Sequence, residues 1–182
     1  MPKSSDLFFV SSNVHKYNEA KKILDCFGIK LGFLKSKLEE IQSNSLDEIA
    51  RKKAQHAFSK YKTPLIIEDD GLFIDALGGF PGPYSSYVFK TIGNNGILDL
   101  LTNHRCAKFI SVITFCDGEI LESFSEKLPG FISKSQMGNG WGFDPIFVPN
   151  NTDKTFAETV DKNELSHRYK SLKKFANWYL HK

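Results

Sequence analysis

Cysteine is scarce in this chain of 182 residues, and long apolar runs are missing. The three cysteines, Cys26, Cys106 and Cys116, show no C-x-x-C spacing, which excludes a disulfide framework and a thiolate zinc site. We therefore expect a reducing compartment, in which the cysteines serve as small buried hydrophobic residues. The first apolar run, residues 7–10, is too short for a signal-peptide core or a membrane span, which predicts a cytoplasmic protein.

The chain also lacks a large excess of charge of either sign. The chain has 24 basic and 21 acidic residues, a net charge of +3, which excludes extended nucleic-acid binding as the main role but allows a local basic site. Hydrophobic residues make up 41% of the chain and include 16 phenylalanines, enough for a core rich in Phe. This length and composition predict one domain over residues 1–182.

The order of the sequence patterns predicts a mixed α/β fold. The apolar run 7–10 is followed by a helical pattern that reaches Phe27 and ends at Gly28. Residues 29–34 predict a second strand, and this strand-helix-strand order favours a parallel pair. A second helix is predicted over residues 46–61, because its apolar residues fall on one face.

Two later patterns predict further strands. Residues 65–67 indicate a short buried strand that ends abruptly at three acids, residues 68–70. The Asp-Gly pair at 117–118 lies between apolar runs within 109–124, which predicts a hairpin with a type I′ turn. The final helical pattern begins at about Glu164.

The segment after the first strand suits an anion. Ser11, Ser12 and Asn13 precede a helix N-terminus, and Lys16 follows one turn later. Backbone amides, the helix dipole and a lysine together favour phosphate. The alternative is an ordinary Ser or Asn helix cap beside a solvated lysine.

The acids Glu68, Asp69 and Asp70 indicate metal chemistry. Consecutive acids after a buried strand repel one another, and ligands bind at strand ends of α/β sheets. With Glu40 nearby they would hold Mg²⁺, and one acid would deprotonate an attacking water. The alternative is a solvated acidic turn.

A glycine-aromatic loop offers a base-binding surface. Trp141 and Phe143 flank Gly142, and Asp144 follows. This pattern suits stacking on a nucleobase, with the acid or a backbone group contacting the base edge. The alternative is that the rings fill the core.

A basic cluster lies where the last helix begins. Lys162, His167 and Arg168 are cations or donors at a helix start, where an external anion would compensate them. Arg also donates to a carbonyl acceptor and rejects an amino donor. The alternative is a Ser-capped, solvated basic turn.

Together these segments resemble the inosine triphosphate pyrophosphatase family, whose members hydrolyse non-canonical purine nucleoside triphosphates. The resemblance extends from Phe8 to about Phe175. Four blocks carry it: residues 11–19, residues 67–85, residues 140–147 and residues 162–168.

The resemblance implies a two-lobed α/β fold, with a long curved mixed sheet flanked by helices and a central substrate cleft. It also implies a homodimer that uses Mg²⁺ to hydrolyse ITP, dITP or XTP to the monophosphate and pyrophosphate. By position, Glu40 and Asp69 would bind metal, and Asp69 would also activate water with support from Glu68. The implied substrate contacts are Ser11, Ser12, Asn13, Val14, His15, Lys16, Lys53, Asp70, Trp141, Gly142, Phe143, Asp144, Lys162, His167 and Arg168.

Three positions depart from the family pattern. Ser12 stands where Gly is frequent, Asp70 where Ser or Thr is usual, and Met137 where Arg is frequent. Asp70 places a third acid beside the expected metal. Two rival functions are a non-catalytic nucleotide or RNA-binding module and a related pyrophosphatase acting on modified pyrimidine or methylated nucleotides.

Overall fold

The computed structural model describes residues 7–159 and 165–182 of the chain. The helices in these ranges are α1 (Val14–Asp25), α2 (Leu46–Tyr61), α3 (Ser85–Thr91), α4 (Gly93–Asp99) and α5 (His167–Tyr179). The strands are β1 (Leu7–Ser11), β2 (Leu31–Lys35), β3 (Leu65–Ile74), β4 (Pro81–Gly82), β5 (Cys106–Cys116), β6 (Leu121–Ile132) and β7 (Phe147–Pro149). Short 3₁₀ turns cover Asp75–Leu77 and Phe156–Glu158.

The strands form a mixed sheet in the order β2-β1-β3-β5-β6-β7, and β4 pairs with β3. β1 runs parallel to β2 and to β3. The β3–β4 and β6–β7 pairs are antiparallel. The predicted mixed α/β fold and the parallel opening unit are therefore confirmed.

The described residues divide into two compact units, each with its own core. The first unit contains residues 7–69, 111–126 and 168–182, and the second contains residues 70–110, 127–159 and 165–167. In the first unit, α1 and α5 contribute buried apolar residues to the cluster around Phe9, Ile66 and Phe115. In the second, Phe109, Phe147 and Phe156 pack together. The prediction of one domain over residues 1–182 stays a prediction.

Helices α1 and α2 begin and end at residues suited to those positions. The Asn13 side chain accepts hydrogen bonds from the amides of His15 and Lys16 at the start of α1. Ser45 accepts one from the Glu48 amide at the start of α2, and such caps satisfy amides that the helix leaves unpaired. α1 ends at Asp25, and the chain turns at Gly28, whose positive φ of 73° suits glycine.

The prediction that a short strand ends at residues 68–70 is wrong. β3 continues through all three acids to Ile74, and Glu68 and Asp69 are buried within it. The acids remain in the strand because basic and hydroxyl side chains distant in sequence compensate them.

The hairpin is confirmed, but its type I′ turn is wrong. Residues 117–120 connect β5 and β6, and of the Asp-Gly pair only Gly118 has positive φ, at 99°. The Asp117 carboxylate instead accepts from the amides of Glu119 and Ile120, which stabilises a longer turn.

The expectation of three buried cysteines is wrong for two of them. Cys116 is buried, whereas Cys26 and Cys106 are exposed. Cys26 caps the end of α1 and Cys106 is the first residue of β5, so both lie at element ends rather than on core-facing positions.

Close packing of β3 against β4 predicts that Gly71→Ala destabilises the protein strongly. An added Cβ would lie 2.4 Å from the Gly82 carbonyl oxygen, and backbone atoms cannot move aside cheaply. We expect a loss of about 2 kcal/mol or more in free energy of unfolding, measured with urea. Gly28→Ala is the control: nothing lies within 4 Å of that Cβ, so only the cost of positive φ, about 1 kcal/mol, applies. Equal losses would contradict the packing argument.

Candidate active site

A lysine bridges two of the predicted carboxylates. Lys53 on α2 donates to Asp69 Oδ1 and to Glu40 Oε1, each at 2.8 Å. The side chains of Lys53 and Asp69 are only 12% and 13% exposed, whereas that of Glu40 is 58% exposed. The structure therefore brings Glu40, Lys53 and Asp69 together at a partly buried site.

Asp69 has properties that suit a reactive carboxylate. Burial raises its pKa to about 6, although the charges of Lys53 and Lys16 act in the opposite direction and Glu40 adds to the rise. Its Oδ2 atom is buried without a hydrogen-bond partner. A buried unpaired oxygen is costly, so this atom is suited to meeting a cation or a proton donor of a ligand.

Glu68 makes a different set of contacts. Its side chain has no solvent exposure, and both carboxylate oxygens accept from Arg168 Nε at 2.8 Å. Ser111 donates to the same carboxylate at 2.9 Å, and Arg168 Nη1 also donates to Glu19. Glu68 and Arg168 are thus held in a buried network that joins α1, β3, β5 and α5.

The start of α1 is capped from within. Ser11 Oγ accepts from the Asn13 amide at 3.1 Å, and Asn13 Oδ1 accepts from the His15 amide at 2.9 Å. The Asn cap weighed as an alternative is therefore present. Lys16 is half-buried and its charge acts on Asp69. Two other predicted contacts of this segment, Ser12 and Val14, are exposed.

In the second unit, Asp70 lies near His167. The distance from His167 Nε2 to Asp70 Oδ2 is 3.8 Å, and the two side chains are 7% and 18% exposed. The His167 ring stacks on Phe109, with centroids 4.6 Å apart and planes at 8°. Neither ring nitrogen of His167 has a hydrogen-bond partner.

The aromatic loop is anchored by residues from α3 and α4. Phe143 is buried and packs edge-on against Phe89, with centroids 5.4 Å apart. Asn94 donates to the Gly142 carbonyl at 3.2 Å. Asp144 is also buried, whereas Trp141 is partly exposed. The loop therefore fixes Phe143 in the core while Trp141 keeps contact with solvent.

Several supporting residues were not predicted from the sequence, and Lys162 lies outside the described residues. The missed residues are Ser111 and Phe109 on β5, Asn94 on α4, and Glu19 on α1. Two of these residues could have been noticed in the sequence. Ser111 is a polar residue inside an apolar run, and Glu19 lies among the regularly spaced apolar residues of α1. Nothing in the sequence pairs Asn94 with Gly142.

Two features are absent from the described ranges, residues 7–159 and 165–182. No group of three or more His, Cys, Asp or Glu side chains is arranged there to hold a metal ion. No helix in those ranges is long and apolar enough to cross a membrane.

Comparison with known proteins identifies the family. A sequence model of the Ham1 family matches residues 7–178. The chain belongs to the Ham1 family. This result confirms the resemblance drawn from the four sequence blocks.

Curated relatives of this Ham1 protein carry a common name. It is 46% identical to the dITP/XTP pyrophosphatase of Methanopyrus kandleri over 179 residues, which cover 95% of each chain. It is also 46% identical to the dITP/XTP pyrophosphatase of Thermococcus kodakarensis, over 94% of this chain and 96% of the relative.

A solved structure agrees with the fold. A HAM1 protein from Coxiella burnetii has a TM-score of 0.85 and 27% identity, and the match covers 97% of this chain and 100% of that one. Fold and family thus agree.

The raised pKa of Asp69 predicts a stabilising effect of Asp69→Asn in protein treated with EDTA. Between about pH 4 and pH 6 the native state retains a proton that the unfolded state loses, so the wild type loses stability as pH rises through this window. The neutral Asn avoids that loss. We expect the variant to gain up to about 3 kcal/mol above pH 6 and nothing near pH 4, measured by urea unfolding.

Asp25→Asn serves as the control, because Asp25 pairs with Lys21 at 2.7 Å but is 48% exposed. It should change stability little at either pH. An Asp69→Asn variant that is no more stable than wild type at pH 7.5 would contradict the burial argument.

Proposed function

We propose that this Ham1-family protein hydrolyses the non-canonical purine nucleoside triphosphates ITP, dITP and XTP to the monophosphate and pyrophosphate. The observation that carries the proposal is Asp69, a buried carboxylate with one unpartnered oxygen and with two lysine charges acting on it. The printed names of the two relatives that are 46% identical support the substrate class.

In the proposed mechanism, Asp69 accepts the proton of the attacking water. A carboxylate whose pKa is about 6 is largely ionised at neutral pH and is a better base than an ordinary aspartate. Lys16 and Lys53 bind the triphosphate, together with the segment of Ser11, Ser12, Asn13, Val14 and His15. Glu68 supports this arrangement through its buried bonds to Arg168 rather than by touching the substrate.

We assign Mg²⁺ to Glu40 and Asp69. The fit rests on the unpartnered Asp69 Oδ2 and on the small number of carboxylates, because Mg²⁺ is usually held by one or two carboxylates plus water and phosphate oxygens. When bound, the ion neutralises charge on the phosphates and stabilises the leaving pyrophosphate. Lys53 already connects the two carboxylates and would hold them near each other.

We assign the base to Trp141, Gly142, Phe143 and Asp144, with Trp141 stacking on the purine. Asp70, Lys162, His167 and Arg168 complete the proposed substrate contacts. A 6-oxo purine carries an acceptor where adenine carries an amino donor, so cationic donors at that edge favour hypoxanthine and xanthine.

The paired acids favour an enzyme over the rival binding module. A protein that only held a polyanion would gain nothing from Glu40 and Asp69 beside its lysines, because those carboxylates repel phosphate. A related pyrophosphatase for modified pyrimidine or methylated nucleotides remains the second candidate.

Pyrophosphate release tests the reaction and its substrate class. With Mg²⁺ we expect hydrolysis of ITP, dITP and XTP, much less of GTP and ATP, and little of dUTP. Asp69→Asn should lower kcat by at least about 100-fold, the scale of general-base catalysis, while Asp25→Asn retains wild-type turnover. Activity confined to dUTP would favour the pyrimidine rival, and none with any nucleotide would favour the binding module.

We further propose that the protein is a cytoplasmic homodimer whose contact includes residues 80–92. Phe80, Tyr84, Tyr87 and Ile92 in this range are each at least 40% exposed, and Tyr87 is 69% exposed. The range contains a single charged residue, Lys90. In a two-fold contact a patch meets itself, so an aromatic surface almost without charge avoids like-charge repulsion.

The cytoplasmic assignment follows from the proposed substrates, which are members of the nucleotide pool.

The dimer proposal predicts that Tyr87→Asp yields a monomer. Within the proposed contact, a charge at this position would lose its water on association, which opposes dimerisation. Sedimentation equilibrium should give twice the chain mass for wild type and the single chain mass for the variant. Leu180→Asp, at another exposed apolar residue (53% exposed), should remain dimeric. A monomeric wild type would refute the proposal.

A further inference from the structure

His167 is a buried histidine whose ring nitrogens have no hydrogen-bond partner among the described residues. It is 5% exposed, and both ring nitrogens are buried without a hydrogen bond. The ring lies flat on Phe109, which fixes its plane but offers nothing polar. An unpaired buried nitrogen costs free energy, so packing alone does not account for a histidine here.

The polar side chain that faces this ring is Asp70, with Oδ2 3.8 Å from Nε2. This distance is too long for a hydrogen bond. In a buried site, however, a carboxylate this close exerts a strong electrostatic effect on the ring. A nitrogen lone pair directed at the carboxylate would be repelled, whereas an N–H would be attracted. The carboxylate therefore favours a proton on Nε2, which in the neutral ring leaves Nδ1 as the acceptor.

We infer that Asp70 is a positioning residue that fixes the proton of His167 on Nε2 and so presents Nδ1 as a hydrogen-bond acceptor to the purine base. The inference rests on the proposed function for its ligand. The matching donor is the N1–H of hypoxanthine or xanthine. Adenine has a lone pair at N1 and would leave the acceptor unpaired, so the arrangement discriminates against ATP.

The position of Asp70 in the strand explains why this carboxylate reaches the histidine. Side chains two residues apart on a strand share a face, and Glu68 and Asp70 are two apart on β3. Glu68 contacts Arg168 and Asp70 faces His167, the preceding residue of α5. A Ser at this position would present a shorter hydroxyl that both donates and accepts, so it would not select the Nε2 proton.

Histidine ¹⁵N spectroscopy tests the inference without any nucleotide. The spectra are recorded on EDTA-treated protein at about pH 8.5, above the ordinary histidine pKa, and His167→Gln assigns the signal among the five histidines. We expect a proton on Nε2 in wild type and in Asp70→Asn, which keeps an acceptor oxygen. Asp70→Ala and Asp70→Ser should shift the population toward Nδ1–H. The same tautomer in all four proteins would overturn the inference.

Kinetics supply the second measurement. Asp70→Ala should lower kcat/KM for ITP about tenfold, the loss of one good hydrogen bond. It should raise kcat/KM for ATP, because the Nδ1–H that it produces donates to the N1 lone pair of adenine. Asp70→Asn should restore most of the difference. An equal loss for both nucleotides would place the effect at Asp69 instead and overturn the inference. Asp75→Asn is the control. Asp75 lies 3.7 Å from Lys108 and is 62% exposed, so this variant should leave kcat/KM unchanged for both nucleotides. A wild type inactive on ITP would refute the proposed function while the tautomer result still stood.

Discussion

The ion pair of Glu68 with Arg168 is the interaction on which the arrangement of the first unit depends. Both side chains are almost fully withdrawn from water, and each is bonded further, to Ser111 and to Glu19. Removing one member of such a pair leaves an uncompensated buried charge, which costs about 3–5 kcal/mol. Since the members lie on α1, β3, β5 and α5, this single network fixes four elements relative to one another within that unit.

Strand alternation separates the paired acid Glu68 from the candidate reactive acid Asp69. Because successive residues of a strand point to opposite faces, Asp69 projects away from the Glu68 network and toward Lys53 on α2. Its burial follows from the strand, and the raised pKa follows from its burial. The strand that carries Glu68 thus also buries Asp69 beside it, and a pKa perturbed by burial is typical of functional sites.

Local sequence patterns predicted those elements whose cause is local. The opening strand-helix-strand unit, α2 and the hairpin all follow from periodicity and capping residues. The continuation of β3 through the acids could not be predicted in that way, because the partner of Glu68 is Arg168, 100 residues later. The exposure of Cys26 and Cys106 likewise depends on where their elements end. The acid cluster and the aromatic loop of the candidate site were named from local patterns, and Lys53 from the family resemblance. The contacts of Ser111 with Glu68 and of Asn94 with Gly142 are recorded by no short motif.

The small net charge of the chain does not rule out a strongly charged site. Each of the three consecutive acids meets a basic side chain: Glu68 meets Arg168, Asp69 meets Lys53, and Asp70 faces His167. Mutual repulsion among the acids is therefore offset locally. A triphosphate alone would compete with the carboxylates for the lysines, whereas a triphosphate with a divalent cation brings a countercharge for each set. The proposed metal-nucleotide complex, rather than a bare polyanion, would be the ligand that fits this pairing.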